Sequence, residues 1–262
     1  MFTHQTDSTP NPDPILPIAA NSDDEEMLKG SRKSQSELLS VLPHQHFSES
    51  NGVLDLTFSI SVGQSLSVKL IVDSKPGCGG IAWPAGQILS SYLTQTYKTA
   101  NPLGNKCIVE LGSGTGLVGL VAGKLDPTCK VYITDQAPLL DIMNKNVTLN
   151  SLEENVKVAQ LNWGEPIPSG VPSKADIILA ADCVYFEPAF PLLVQTLSDL
   201  SDAKTVILFC YKKRRRADKR FFSLLKKRFS WCEVVDDPNR TIYNKEAITL
   251  LRLFKTDGRK GK

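Results

Sequence analysis

The run Glu110-Leu111-Gly112-Ser113-Gly114-Thr115-Gly116 offers the clearest chemistry in the chain. Three glycines alternate directly after the apolar segment CIVEL, so a tight turn can approach a ligand without Cβ atoms. The helix expected to follow would present N–H groups that lack partners. Asp135 ends a second apolar segment, KVYITD, 23 residues after Gly112. A carboxylate at that spacing can accept both hydroxyls of a ribose. Glycine turns also serve purely structural roles, and it is the pairing of turn and acid that points to a nucleoside.

Two cofactor classes share this geometry. Gly114 to Gly119 spells GxGxxG, the dinucleotide frame. Register opposes that reading: if the strand ends at Leu111, the first turn glycine is Gly112, and the frame counted from there meets Leu117 where it needs glycine. Charge opposes it too, since a Glu110 carboxylate about 6 Å from a diphosphate would be repelled by roughly 1 to 3 kcal/mol at an effective dielectric of 20 to 50. S-adenosylmethionine, cationic at its ammonium and sulfonium and free of phosphate, suits the acid instead. Methyl transfer from a sulfonium needs alignment, desolvation and a neutral nucleophile, not a catalytic nucleophile. For that step the candidates are Asp182 and Tyr185, in the run Asp182-Cys183-Val184-Tyr185 after the apolar segment ADIILA. Asp182 could orient an incoming ammonium, and Tyr185 could offer a ring face or a hydroxyl acceptor. The plainer alternative is that Asp182 caps a turn and Tyr185 packs.

Composition narrows the remaining classes. Of 262 residues, 41% are hydrophobic and 22% charged, the make-up of a globular protein. A net charge of +2 is too small to steer the whole molecule onto nucleic acid or anionic lipid. All three histidines, His4, His44 and His46, precede the expected folded region, which excludes Ser-His-Asp and Cys-His catalysis from it and leaves no metal site expected. The six cysteines lack CxxC spacing and read as reduced structural thiols. With no signal-peptide pattern and no run of 18 apolar residues, a cytoplasmic monomer without membrane contact is expected.

Several elements must position the glycine turn. Residues 1–48, rich in Pro, Ser and Asn with an acidic cluster at 23–26, read as a disordered tail; 49–257 read as the folded domain and 258–262 as a short basic tail. Alternating apolar residues from Val53 to Val72 around Gly63-Gln64 predict a β-hairpin. A helix is expected over Gln87 to Thr96. From Lys106 onward strands and helices alternate: helices near Leu117–Lys124, Pro138–Asn150 and Ala189–Leu200, a charged helix running to Phe229, and strands at NVKVAQL, ADIILAADCVY, TVILFCY, CEVVD and EAITLLRLF. This order predicts an α/β fold with a mostly parallel sheet, helices on both faces and an antiparallel C-terminal hairpin.

VELGSGTGLVGL, VYITD, LNWG at 161–164 and LAADCVY at 179–185 resemble the successive motifs of seven-β-strand, S-adenosylmethionine-dependent methyltransferases. Together with GGIAWPAG at 79–86, they resemble the eukaryotic protein-lysine methyltransferases of the methyltransferase-like-21 group, over residues 53–255. The stretch YKKRRRADKRFF most resembles the fungal enzymes that methylate translation elongation factor 1-alpha. The resemblance implies a Rossmann-like seven-stranded methyltransferase sheet, S-adenosylmethionine as cofactor and a protein substrate, elongation factor 1-alpha. It implies that Trp83 and Trp163 border the cofactor, that Gly112, Ser113 and Gly114 line it, that Asp135 holds the ribose and that Ala181 touches it, with Glu110 at the acidic position before the glycines. Trp83 has an equal alternative as an aromatic packed at a helix start. Relatives acting on planar amide or base nitrogens carry Asn-Pro-Pro-Tyr where this chain has Asp182 to Tyr185.

Between Lys212 and Arg228, ten of seventeen residues are basic and one is acidic, a local charge of +9. This face could dock an acidic protein surface or RNA, or simply be solvated, with Phe221, Phe222, Leu225 and Phe229 as its buried side. Rival readings are a methyltransferase of RNA or a small molecule, a catalytically silent adaptor with the same fold, and, third, a dehydrogenase.

Overall fold

The structure, a computed structural model, describes residues 52–73, 78–96, 103–214 and 218–256. The expected tails at 1–48 and 258–262 lie outside the described residues. Alternation along β1 (Val53–Ser61) and β2 (Gln64–Ile71) turns Leu54, Leu56, Phe58, Leu66, Val68 and Leu70 to one buried face, and the antiparallel pair closes through Gly63 at φ 77°. The N-terminal hairpin is as expected.

The main sheet holds seven strands in the order β5-β4-β3-β6-β7-β9-β8: β3 (Cys107–Leu111), β4 (Lys130–Asp135), β5 (Val156–Gln160), β6 (Ile177–Ala181), β7 (Val206–Lys212), β8 (Phe229–Glu233) and β9 (Ile248–Lys255). β5 through β7 run parallel, while β9 lies antiparallel between β7 and β8. Successive residues of one strand feed opposite cores. Ile108, Ile177 and Leu179 join a core with the hairpin and helices α1 (Pro84–Thr96), α2 (Leu117–Leu125) and α3 (Leu140–Leu149). Val109, Leu111, Ile178 and Ala180 join a second core with α4 (Phe190–Leu200) and α5 (Asp218–Leu225). A short α6 (Arg240–Lys245) precedes β9 and buries Tyr243.

Some expected boundaries shift, each for a local reason. The strand expected over ADIILAADCVY stops at Ala181, because Asp182 takes a left-handed backbone at φ 59° that no strand continues through. The charged helix ends at Leu225 and not at Phe229, which instead opens β8 and is buried. Among the described residues no helix is long and apolar enough to cross a membrane.

The hairpin is fastened to the sheet layer by two asparagines. Ile71 N–H donates to Asn146 Oδ1 at 2.6 Å, and Asn146 Nδ2 donates to Ile71 O at 3.1 Å. One turn on, Lys69 N–H donates to Asn150 Oδ1 at 3.0 Å, and Asn150 Nδ2 donates to Lys69 O at 2.6 Å. Four helical residues rise about 6 Å and two strand residues about 6.7 Å, so the spacings match. Asn146 Nδ2 also donates to Thr115 O at 2.9 Å, tying the hairpin to the glycine turn. Replacing the fully buried Asn146 by Ala leaves three backbone groups short of a partner, and about 2 to 4 kcal/mol of stability should be lost. Thermal denaturation checks this: a fall in Tm of roughly 5 to 10 °C is expected.

Candidate active site

The glycine turn leaves β3 exactly at the sheet's carboxyl edge, where open α/β sheets bind ligands. Gly112, Gly114 and Gly116 all have positive φ, at 60°, 55° and 86°. At Gly112 a Cβ would lie 2.9 Å from Trp163 Cζ2 and 3.1 Å from Cys183 Sγ; at Gly114 it would lie 2.5 Å from Gly79 O. The turn is therefore closed between the Trp163 indole, the chain after β6 and the short helical turn Cys78–Gly80. Gly114 N–H donates to Asp135 Oδ2 at 2.8 Å, and Gln136 N–H donates to Oδ1 at 2.7 Å. Each Asp135 oxygen retains acceptor capacity, as a ribose diol requires. Burial raises the Asp135 pKa, against the pull of those two N–H donors.

Glu110 and Ser113 are buried and bonded within the turn and to its neighbouring elements. Ser113 N–H donates to Thr134 O at 3.0 Å, its Oγ donates to Glu110 O at 3.2 Å and accepts from Thr134 N–H at 2.9 Å, and its carbonyl accepts from Gly116 N–H at 2.7 Å. It pins the turn to β4. The Glu110 carboxyl, 2% exposed, accepts from Gly119 N–H at 2.9 Å, and the Val118 N–H acts on it as well. These are the first-turn donors of α2, whose N-cap, Gly116, has no side chain to satisfy them.

This placement revises the electrostatic argument from sequence. Burial pushes the Glu110 pKa up to about 8, so near neutrality much of its charge is absent. A diphosphate is disfavoured chiefly because Glu110 already occupies the helix N-terminus that it would need. Burial above all, then the neighbouring Asp135, Asp182 and Glu110, raises the pKa of the Cys183 thiol.

A stability prediction follows from Glu110. Its folded pKa of about 8 exceeds the 4.5 of an ordinary glutamate, so between those values the folded state binds the additional proton. Stability should fall as pH rises from about 4.5 to about 8, by up to about 1.4 kcal/mol per unit, and level off above that. Thermal melts across pH 5 to 9 should show this slope in the wild type and a flatter one in Glu110→Gln.

On the other side of the turn, Ala181 ends β6 and Asp182 follows, buried, its N–H donating to Cys210 O at 2.8 Å. Its carboxylate is gripped by Arg214: Nη1 to Oδ1 and Nη2 to Oδ2, both at 2.6 Å, with side-chain exposures of 7% for Asp182 and 11% for Arg214. The guanidinium lies over the Trp83 ring, Cζ 5.7 Å from its centroid. Trp83 precedes α1 and its carbonyl accepts from Gly86 and Gln87 N–H, the helix-start position of one of its sequence readings. Tyr185 and Phe186 are exposed at 40% and 43%, placing Tyr185 on the rim and Asp182 inside. The sequence reading does not single out Arg214. Its signal is position: it lies just beyond β7, which pairs with β6 in the register Ala181–Cys210.

The basic stretch is partly committed within the fold. Besides Arg214, Arg220 pairs with Glu187 and Arg228 Nη1 donates to Ser198 Oγ. Phe221, Leu225 and Phe229 are buried, and Phe222 partly so, in an aromatic cluster with Phe190, Phe209, Tyr211 and Trp231.

A family model described as lysine methyltransferase matches residues 63–228. The chain is similar to protein-lysine N-methyltransferase EFM6 of Saccharomyces cerevisiae, 38% identical over 237 residues that cover 81% of this chain and 94% of the relative. It is also similar to protein N-lysine methyltransferase METTL21A of Danio rerio, 38% identical over 175 residues, 66% of this chain and 78% of the relative. Among solved structures it resembles the T. thermophilus 16S rRNA N2 G1207 methyltransferase in complex with AdoMet and guanosine, with a TM-score of 0.54 and 14% identity over 80% of this chain and 52% of the other, a likeness of fold alone.

Proposed function

This chain belongs to the lysine methyltransferase family, as an S-adenosylmethionine-dependent protein-lysine N-methyltransferase, and we propose that its acceptor is a lysine of translation elongation factor 1-alpha. The support for that acceptor is the likeness of the Tyr211 to Phe222 stretch to the fungal enzymes that modify it. Gly112, Gly114, Asp135, Trp163, Ala181 and Trp83 would hold the cofactor, with Asp135 on the ribose hydroxyls, while Glu110 and Ser113 hold the turn itself in shape. Asp182 and Tyr185 would form the lysine site. The observation that carries this reading is the run Asp182 to Tyr185, which leaves the carboxyl end of β6 against the glycine turn and passes from buried acid to exposed aromatic within four residues.

When bound, S-adenosylmethionine supplies a sulfonium methyl, whose C–S electron pair returns to sulfur as the lysine nitrogen's lone pair forms the new N–C bond. The protein's task is to deliver that nitrogen unprotonated. At pH 7 removing the proton from a lysine of pKa about 10.4 costs about 4.6 kcal/mol. Burial beside the turn lowers this cost, and the proton leaves to water before transfer. Asp182 accepts one N–H of the amine and so turns the lone pair inward, and Tyr185 presents its ring to the lysine stem.

Incubating the protein with tritiated S-adenosylmethionine and a cytosolic protein extract, then identifying the labelled species and its methylated residue, tests the proposal. Methyl-lysine in elongation factor 1-alpha is expected. Label in RNA, or on another protein or residue type, would overturn the acceptor assigned here.

A further inference from the structure

An acid at the lysine site raises a difficulty: an uncompensated carboxylate stabilises the ammonium, which has no lone pair to give, over the amine that reacts. The structure answers it with a second group. Both Asp182 oxygens receive a guanidinium N–H from Arg214 at 2.6 Å, and the pair is nearly closed to water. Arg214 is itself held from two sides, by the Trp83 ring under its Cζ at 5.7 Å and by Asp218 Oδ2, which accepts its backbone N–H at 2.9 Å. Asp182 sits at φ 59°, a left-handed conformation open to aspartate at a small cost, and the bidentate grip together with the Asp182 N–H bond to Cys210 O holds it there.

Resting on the reading that Asp182 meets the acceptor, we propose that Arg214 is a positioning residue for methyl transfer: it fixes the Asp182 carboxylate as a hydrogen-bond acceptor while cancelling the charge that would hold lysine protonated. A carboxylate has about four acceptor positions and Arg214 uses two, so about two remain, enough for an amine N–H. The acceptor nitrogen thus meets a neutral pair that can orient it without favouring its ammonium form. Lysine could not substitute fully at 214, because a single ammonium does not span both oxygens.

Other charged groups surround the pair. Asp218, on α5, accepts the Arg214 backbone N–H, and Lys212 and Lys213 precede Arg214 at and just beyond the end of β7. Cys183, Tyr185 and Glu187 follow Asp182 in the chain, and Cys210 lies alongside on β7. Burial holds the Cys183 and Cys210 thiols well above the ordinary range, so neither titrates between pH 6 and 9. All of these are common to every variant compared.

The test uses the full-length enzyme, with the acceptor protein identified by tritium labelling as the probe. In Arg214→Met, calorimetry should find S-adenosylmethionine affinity within about threefold of wild type. At saturating acceptor the rising limb of kcat against pH should move up by about one unit, giving roughly a tenfold loss at pH 7 that recovers to within about threefold at pH 9. Acceptor binding to enzyme loaded with S-adenosylhomocysteine should be as tight as wild type or tighter at pH 7, since the bare carboxylate favours the ammonium. Arg214→Lys should keep the wild-type limb at reduced kcat, and the double variant Asp182→Asn, Arg214→Met should return the limb to its wild-type position. These two variants decide the matter if Arg214→Met does not fold. An equal loss of rate at every pH, weaker acceptor binding in parallel with rate, or a limb displaced in Arg214→Lys would overturn the proposal. Failure of the underlying reading looks different: there Asp182→Ala itself turns over as the wild type does, and the role proposed for Arg214 falls with it.

Discussion

Gly114→Ala is expected to abolish measurable S-adenosylmethionine binding while leaving the protein folded. The residue sits at φ 55°, where an L side chain costs about 1 to 2 kcal/mol, and the added methyl would stand 2.5 Å from the Gly79 carbonyl oxygen, a backbone atom with no side-chain torsion to relieve the overlap. Relief requires the turn to shift, and Gly114 N–H then leaves Asp135 Oδ2, now at 2.8 Å, so the carboxylate proposed for the ribose loses its anchor. Strain and displacement together amount to about 3 kcal/mol or more, an affinity loss of roughly 100-fold or greater by calorimetry. Gly170→Ala, where a Cβ meets nothing within 4 Å, is the control and should bind as wild type. Binding by Gly114→Ala within threefold of wild type would remove the turn from the cofactor site.

Asp182→Ala and Tyr185→Ala should each eliminate methyl transfer, to below about a thousandth of the wild-type rate, with cofactor affinity kept within about threefold. They should differ in stability. Asp182 is buried in an ion pair, and its removal strands the Arg214 guanidinium in a nearly closed site at about 3 to 5 kcal/mol. Tyr185, 40% exposed, should melt within a degree or two of wild type. Tyr185→Phe separates its two possible roles, since it keeps the ring face and deletes the hydroxyl. Full turnover in both alanine variants would take these residues out of the mechanism.

How far the sequence could anticipate this site depends on the distance over which each feature is set. Gly112, Gly114 and Asp135 were legible because a strand, a turn and the next strand's end lie within about 25 residues, and period-2 and glycine patterns mark all three. The direction in which Glu110 points was not. Next to the turn in sequence, it reads as a ligand-facing charge, yet the chain curls back and brings Gly119 N–H over it at 2.9 Å. Asp182 and Arg214 are 32 residues apart, and their meeting depends on how β6 registers with β7, which no local pattern encodes. The charge run around Arg214 concealed it further, because a count of ten basic residues treats as one patch side chains that the fold uses differently, Arg214 in a buried pair and Arg220 in an exposed one with Glu187. The break after Ala181 was missed for a related reason: alanines before an aspartate look like a continuing strand, and only tertiary contacts stabilise the left-handed backbone at Asp182.

The amide pairing between α3 and β2 bears on how this molecule behaves at high concentration. A two-stranded sheet standing apart from the main one exposes an outer edge that can template a strand from another molecule, the usual start of domain exchange and fibril growth. At Lys69 and Ile71 the backbone groups that would do so are already taken by Asn150 and Asn146. The side-chain amides stand where a neighbouring strand would bond, so along this stretch the hairpin's border has its N–H and carbonyl groups already engaged, and Asn146 does this while also tying the hairpin to the turn.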